Sequence, residues 1–228
     1  DKLVSLALQE GRHHAPQQTA MTATLDGDGY LLNGSKVMVL DASSAQAFIV
    51  VARTAGGPGD NHGISAFVVD AGAEGVAVNT SVMVDSRNAG VVTLSNARVS
   101  ATDLLGGAGD AWAGLSRALD IINIGLASEL LGISAEAFER TVEYLKERKQ
   151  FGKVIGTFQG LQHRAAELFA ELELARSIVL QGLQRIDTGE QELSLSASAA
   201  KAKLCEVAQR ATNEAIQMHG GIGMTDEH

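Results

Sequence analysis

Two short stretches carry residue types that could hold a ligand. The first is RKQFG, Arg148 to Gly152: two cations, an amide, an aromatic ring and a glycine at the close of a long amphipathic segment. Cations and a left-handed glycine are common at a helix C-terminus, where they offset exposed carbonyls. The same residues could instead present Arg148 to an anionic group and Phe151 to a flat ring. The second stretch is QMHGGIG, Gln217 to Gly223. One glycine is enough to end a helix. Three within four residues leave backbone N–H groups bare and let the chain approach a phosphate or a ring edge. A guanidinium, a ring and exposed amides together suit an adenine nucleotide.

Composition narrows the partners. The 228 residues carry a formal net charge of −9, which argues against a nucleic-acid groove or an anionic membrane surface, both of which need a basic footprint. An acidic ligand would need a local basic site. The single cysteine, Cys205, excludes an intramolecular disulfide framework and fits a reducing compartment; the expected reading is a small buried hydrophobe. No uninterrupted apolar run of about 18 residues occurs, so no membrane-spanning helix is expected. No signal peptide is visible, and a cytoplasmic location is expected. The chain begins at Asp1 and ends at GMTDEH, which reads as a fragment of something longer.

The elements that must position these stretches change period along the chain. Up to about residue 108 the sequence alternates short β-branched runs with turn signals, as in YLLNGSKVMVL, AFIVVART and GISAFVVDA, separated by DGDG and NG. Such spacing predicts an antiparallel barrel or sandwich. Beyond GGAGD, with Asp110 as a plausible N-cap, the period becomes helical. Three helices are predicted, at about Ala111–Phe151, Phe158–Ile186 and Ser194–Met218, with DTGEQE as the last loop. The second carries Leu161, Ala165, Leu168, Leu172, Ala175, Val179, Leu183 and Ile186 in one stripe; the third carries Ala200, Leu204, Val207, Ala211, Ala215 and Met218. Short connections predict an up-and-down bundle. The fold class is therefore α+β, with a β domain over residues 1–108 and a helical domain over 109–228.

YLKERKQFGKVIGTFQGLQHRAAELFAELELAR followed by QMHGGIGMTDEH resembles the C-terminal helical domain of the acyl-CoA dehydrogenase family, and YLLNGSKVMVLDASSA, FIVVART and GISAFVVD resemble its middle β domain. The resemblance covers essentially the whole chain. It implies an N-terminal helical domain and a last bundle helix that this chain lacks. It implies FAD as cofactor, an acyl-CoA thioester as substrate, α,β-dehydrogenation with hydride transfer to flavin N5, and an electron-transferring flavoprotein as acceptor. It also implies a homo- or hetero-tetramer. Arg148 would bind the FAD pyrophosphate of a neighbouring subunit, with Gln150 and Phe151 beside the adenine end and Gln159 reaching the same cofactor. Gln217, Gly220 and Gly221 would hold FAD across a dimer interface.

Three departures from the family pattern stand out. In the loop LALQEGRHHAP, Gln9 stands where a threonine is usual, and Arg12, His13 and His14 fill a turn usually made of small residues. Met38, Val39 and Leu40 replace the usual Trp-Ile-Thr against the flavin ring, so the hydroxyl is absent. The usual catalytic glutamate would lie beyond residue 228, and its alternative position falls at Ile122. Two readings follow: an unusual dehydrogenase subunit with its base elsewhere, or a non-catalytic subunit supporting an active partner, as in the steroid side-chain branch. No metal site is expected, because adjacent His13 and His14 on a strand would point to opposite faces. Lys201 and Lys203 are expected to be solvated.

Overall fold

In the computed structural model, residues 2–189 and 192–226 are described. The chain forms two compact units, Asp1–Leu115 and Ser116–His228.

The first unit is one curled seven-stranded sheet. Its strands are β1 (Val4–Ala7), β2 (Thr22–Asp26), β3 (Gly29–Leu40), β4 (Ala47–Arg53), β5 (Ile64–Asp70), β6 (Val76–Val82) and β7 (Asn88–Ser100). The β2–β3, β3–β7, β6–β7 and β4–β5 ladders are antiparallel; DGDG turns β2 into β3 as expected, but Asn33-Gly34, expected as a turn, lies inside β3. β1 pairs with β4 in parallel, and Thr22 of β2 meets Arg53 of β4 in the same sense. The segment between β1 and β2 is irregular, so His13 and His14 lie on no strand. Apolar side chains from every long strand, among them Leu32, Phe48, Val50, Phe67, Val92 and Leu94, fill the inner face.

Two irregularities shape the long β3–β7 ladder. Lys36 pairs with Val92 and Val39 with Gly90, so Val37 and Met38 oppose the single residue Val91. Met38 adopts a positive φ of 51° at this bulge. An extra residue shifts the alternation by one, which turns Lys36 and Val39 inward while Met38 and Leu40 face out. The second irregularity places Asn33 against Ser95 and Asn96. There Asn33 Oδ1 accepts the Asn96 N–H at 2.8 Å, and its amide donates to Asn96 Oδ1 at 3.1 Å.

Arg53 is 4% exposed and has no carboxylate partner among the described residues. Its guanidinium donates instead to four carbonyls: Thr19 and Gln17, both at 2.6 Å, Asp60 at 2.9 Å and His62 at 3.1 Å. A buried cation is tolerated when its donors are satisfied in this way.

The second unit holds most of α1 (Trp112–Glu147) together with α2 (Gln159–Thr188) and α3 (Leu193–His219). Ion pairs fix the register of α2 against α3: Arg164 with Glu214, Glu167 with Arg210 and Glu171 with Lys203. As one number rises the other falls, so the two helices are antiparallel. Phe138 of α1 meets Phe169 of α2, with centroids 6.2 Å apart, while Ile124 lies beside Gly182 of α2, 3.2 Å from where a Cβ would stand there. α1 and α2 are thus antiparallel too, and the bundle runs up, down and up. Leu168, Leu172, Ala175 and Val179 of α2 pack against Ala200, Leu204, Val207 and Ala211 of α3. Leu183, expected in the α2 stripe, is exposed instead.

Three expectations need correction here. Cys205 is exposed rather than buried, because it lies off the Leu204–Ala211 stripe, and its Sγ is 3.2 Å from Lys201 Nζ. Lys203 is not solvated alone but bridges to Glu171. And α1, though broken by polar residues, is long and apolar enough over an 18-residue window to match a membrane span by length and composition. Of the predicted last loop, Asp187 and Thr188 are helical, Gly189 caps α2 at φ 70°, and Glu190 and Gln191 lie outside the described residues.

Candidate functional site

The predicted first helix overran its end. α1 stops at Glu147, and RKQFG continues as a hairpin whose two-residue strands are β8 (Lys149–Gln150) and β9 (Lys153–Val154). Its loop is Phe151 and Gly152, with φ of 54° and 76°. Two successive residues at positive φ are the geometry of a tight hairpin turn. Gly152 is therefore left-handed as a turn residue and not as a helix cap. The hairpin is anchored by the Ile155 N–H, which donates to the Arg148 carbonyl at 2.9 Å. Gly156 seats it against α1, since a Cβ there would lie 2.7 Å from the Leu145 carbonyl.

α3 ends at His219, and Gly220 turns the chain with φ 64° and ψ −136°, a region open essentially to glycine. A 3₁₀ turn over Gly220–Met224 follows. Thr225 closes it, its N–H donating to the Ile222 carbonyl at 3.0 Å and its hydroxyl to the same oxygen at 2.9 Å. Gly223 packs where a side chain would strike the Ile216 carbonyl, whereas the space beside Gly220 and Gly221 is open.

Between these two ends lies a cleft of about 430 Å³, lined by Tyr144, Arg148, Gln150, Ile155, Gln217, Met218, His219, Gly220, Gly221, Ile222 and Thr225. Five of the expected site residues, Arg148, Gln150, Gln217, Gly220 and Gly221, are brought together here. Arg148 forms no ion pair among the described residues. The Gly220 N–H, expected to be bare, donates to the Gln217 carbonyl; an exposed arginine beside the open space at Gly220 and Gly221 still suits a phosphate or pyrophosphate. The residues present therefore fit an anionic dinucleotide.

Two expected residues lie elsewhere. Phe151 is 91% exposed at the hairpin tip and lines a separate open cleft of about 520 Å³ with Phe158, Gly160, Leu161 and Arg164. Its ring meets Phe158 edge-on at 6.1 Å, and Lys153 Nζ lies 4.3 Å from the Phe158 centroid. Gln159 is exposed at the first residue of α2 and lines neither cleft. Ile122 is an exposed residue of α1.

Met38 and Leu40 belong to the first unit, exposed on the outer side of the bulge. Beside this bulge, Val37 N–H donates to the Gln9 carbonyl at 2.7 Å. The Gln9 amide turns back on its own loop, donating to the Gly11 carbonyl at 2.9 Å and to that of His13. That loop borders a cavity of about 330 Å³ lined by residues that include Gln9, Arg12, His13 and Gln18.

Lys36, Tyr144 and His219 carry more of these sites than their sequence suggested. Lys36 is fully buried and donates to Glu10 at 2.6 Å and to the Leu8 carbonyl at 3.1 Å. Burial pulls its pKa below 10.5, against the opposing effect of Glu10. Tyr144 stacks on His219, with centroids 4.4 Å apart and planes at 25°. A signal for Tyr144 was present: it precedes Arg148 by one helical turn and so shares its face.

Comparison with known proteins gives the family. The family models described as acyl-CoA dehydrogenase, middle domain, and acyl-CoA dehydrogenase, C-terminal domain, match residues 8–100 and 102–228. The mitochondrial short/branched chain specific acyl-CoA dehydrogenase of Bos taurus is 34% identical over 205 residues, 89% of this chain and 47% of its own length. Butyryl-CoA dehydrogenase from Megasphaera elsdenii superposes with a TM-score of 0.93 at 31% identity, over 100% of this chain and 60% of that one. The FAD complex of PigA superposes at 0.92 with 27% identity, over 99% of this chain and 60% of that one. This chain thus spans between 47% and 60% of these relatives. With both domain models matched in order, and one of them covering more than half of its residues, the chain belongs to the acyl-CoA dehydrogenase family.

Proposed function

We propose that this chain is the middle and C-terminal part of an FAD-dependent acyl-CoA dehydrogenase subunit. Its substrate is an acyl-CoA thioester and its electron acceptor an electron-transferring flavoprotein. The observation that carries the reading is the cleft that Arg148, without an ion pair among the described residues, lines together with the open backbone of Gly220 and Gly221. In it Arg148 holds the pyrophosphate, the Gln217 side chain and the open backbone at Gly221 meet the same cofactor, and Gln150 flanks it. Phe151 and Gln159, outside that cleft, serve the same cofactor only from the far side of the hairpin. FAD bound there supplies the hydride acceptor for α,β-dehydrogenation; the protein supplies position and excludes water. The assembly is a tetramer, homo- or hetero-, and the lone cysteine suits a reducing, cytoplasmic setting.

A second reading is a non-catalytic subunit that completes the FAD site of an active partner. One observation favours it. Gln9 spends its amide within its own loop, and Met38 and Leu40 present no hydroxyl, so this face lacks the donor expected beside the flavin ring. Ile122 supplies no carboxylate at the alternative base position.

Flavin stoichiometry of the full-length protein, as wild type and as Arg148→Ala, tests both. Loss of bound flavin in Arg148→Ala supports the site, and unchanged occupancy overturns it. Bleaching on anaerobic addition of an acyl-CoA supports the active subunit. Failure to bleach alone, with about half a flavin per subunit in a co-purified complex, supports the second reading.

A further inference from the structure

We infer that Tyr144 and His219 are positioning residues for the FAD pyrophosphate, an inference that rests on the reading above. Their stacked rings tie the end of α1 to the end of α3, and so set the distance between Arg148 and the glycine turn.

Each ring is bonded into one wall of the cleft. Tyr144 lies one turn before Arg148, and its carbonyl accepts the Arg148 N–H at 2.9 Å. His219 is the last residue of α3, directly before the Gly220 turn. Its Nδ1 lies 2.7 Å from the Ala215 carbonyl. A carbonyl can only accept, so Nδ1 carries the proton and the ring is locked to the final turn of α3. With the planes 25° apart and the centroids 4.4 Å apart, the stack holds the two walls face to face. Stacked ring pairs contribute beyond the area they bury, so this contact favours one spacing of the two walls. Both residues line the cleft, so the tie acts beside the ligand and not at a distance.

The wall that needs such a tie is the turn over Gly220–Met224. Its hydrogen bonds from Thr225 and Gly220 run within the turn or back to α3, and Gly223 packs on α3 at Ile216, so the ring stack is the contact described that joins it to the end of α1. Without the stack the glycine turn would shift relative to Arg148, and a ligand bound between them would bear the cost of ordering the two walls.

The test uses the full-length flavoprotein as isolated. Tyr144→Leu should speed hydrogen exchange in the peptide spanning residues 219–225 and weaken flavin retention about tenfold, while exchange in mid-helix peptides stays unchanged. Tyr144→Phe, which keeps the plate and loses only the hydroxyl, should restore both. His219→Phe and His219→Leu repeat the comparison from the other ring, should either tyrosine variant fold poorly. Unchanged exchange in Tyr144→Leu overturns the tie. Faster exchange with undiminished flavin retention, in a background where Arg148→Ala does release flavin, overturns the positioning role alone. If Arg148→Ala also retains its flavin, the FAD reading itself falls and takes the positioning role with it.

Discussion

The Lys36 ammonium lies 2.6 Å from the Glu10 carboxylate, and that carboxylate also accepts the backbone N–H groups of Ala20 at 2.7 Å and Met21 at 3.0 Å. One buried cation on β3 thereby fastens both ends of the irregular segment between β1 and β2. Lys36→Met would leave Glu10 with its two N–H donors but no counter-charge. Removing one member of a buried pair costs about 3 kcal/mol or more, and because Glu10 keeps some solvent contact the low end applies. Urea denaturation should show this loss. A variant as stable as wild type would mean that the pair costs as much to desolvate as it returns.

The same pair has a pH signature. Burial holds the Lys36 pKa below its ordinary 10.5. From that lowered value up to 10.5, the unfolded chain binds a proton that the folded chain has released. Stability therefore rises with pH across this window, and the deficit of Lys36→Met should widen as it is crossed. Parallel stability curves for the two proteins would contradict the assignment.

Phe151 sits at positive φ, which costs a side chain about 1 kcal/mol, and gains an edge-on contact with Phe158 of about the same size. Phe151→Asn removes both, so stability should change by less than about 0.5 kcal/mol while flavin retention falls. A large loss of stability would show that the ring serves the hairpin and not a ligand.

Two glycines two residues apart should behave oppositely. Gly223→Ala drives a methyl group into the Ile216 carbonyl and should cost about 1–3 kcal/mol in thermal or urea unfolding. Gly221→Ala enters open space, so the fold should keep its stability while the bound flavin is lost. Full flavin content in Gly221→Ala would return this turn to a simple helix ending.

What the sequence made legible followed local rules. The α3 stripe from Ala200 to Met218 is buried as its spacing required, and DGDG turns β2 into β3, whereas Asn33-Gly34, a turn by residue type, runs on inside β3 at an irregularity. The parallel pairing of β1 with β4 joins residues some 43 positions apart, as Val4 with Ala47, and no local pattern encodes it. The hairpin after α1 was hidden because Phe-Gly is a poor match to the residues that favour two positive φ angles. Lys36 was hidden for a related reason: the bulge at Val37 and Met38 breaks the alternation by which a strand's buried face is read. In the candidate site, residue types pointed to Arg148 and the glycines, yet only the course of the chain separates Phe151 and Gln159 from them. Tyr144 and His219 look like any core pair until their ring geometry is seen.

Arg53 links the turn at residues 17–19 and the loop at 60–62 through four carbonyls. Lengthening either loop would unhook the other, so the two must vary in length together or not at all. The β6–β7 tip, where Val82 and Val84 stand exposed, carries no such tether to the Arg53 guanidinium. Among homologous chains, insertions and deletions in this unit should therefore gather at that tip, and a grafted peptide tag would be tolerated there and not beside Arg53.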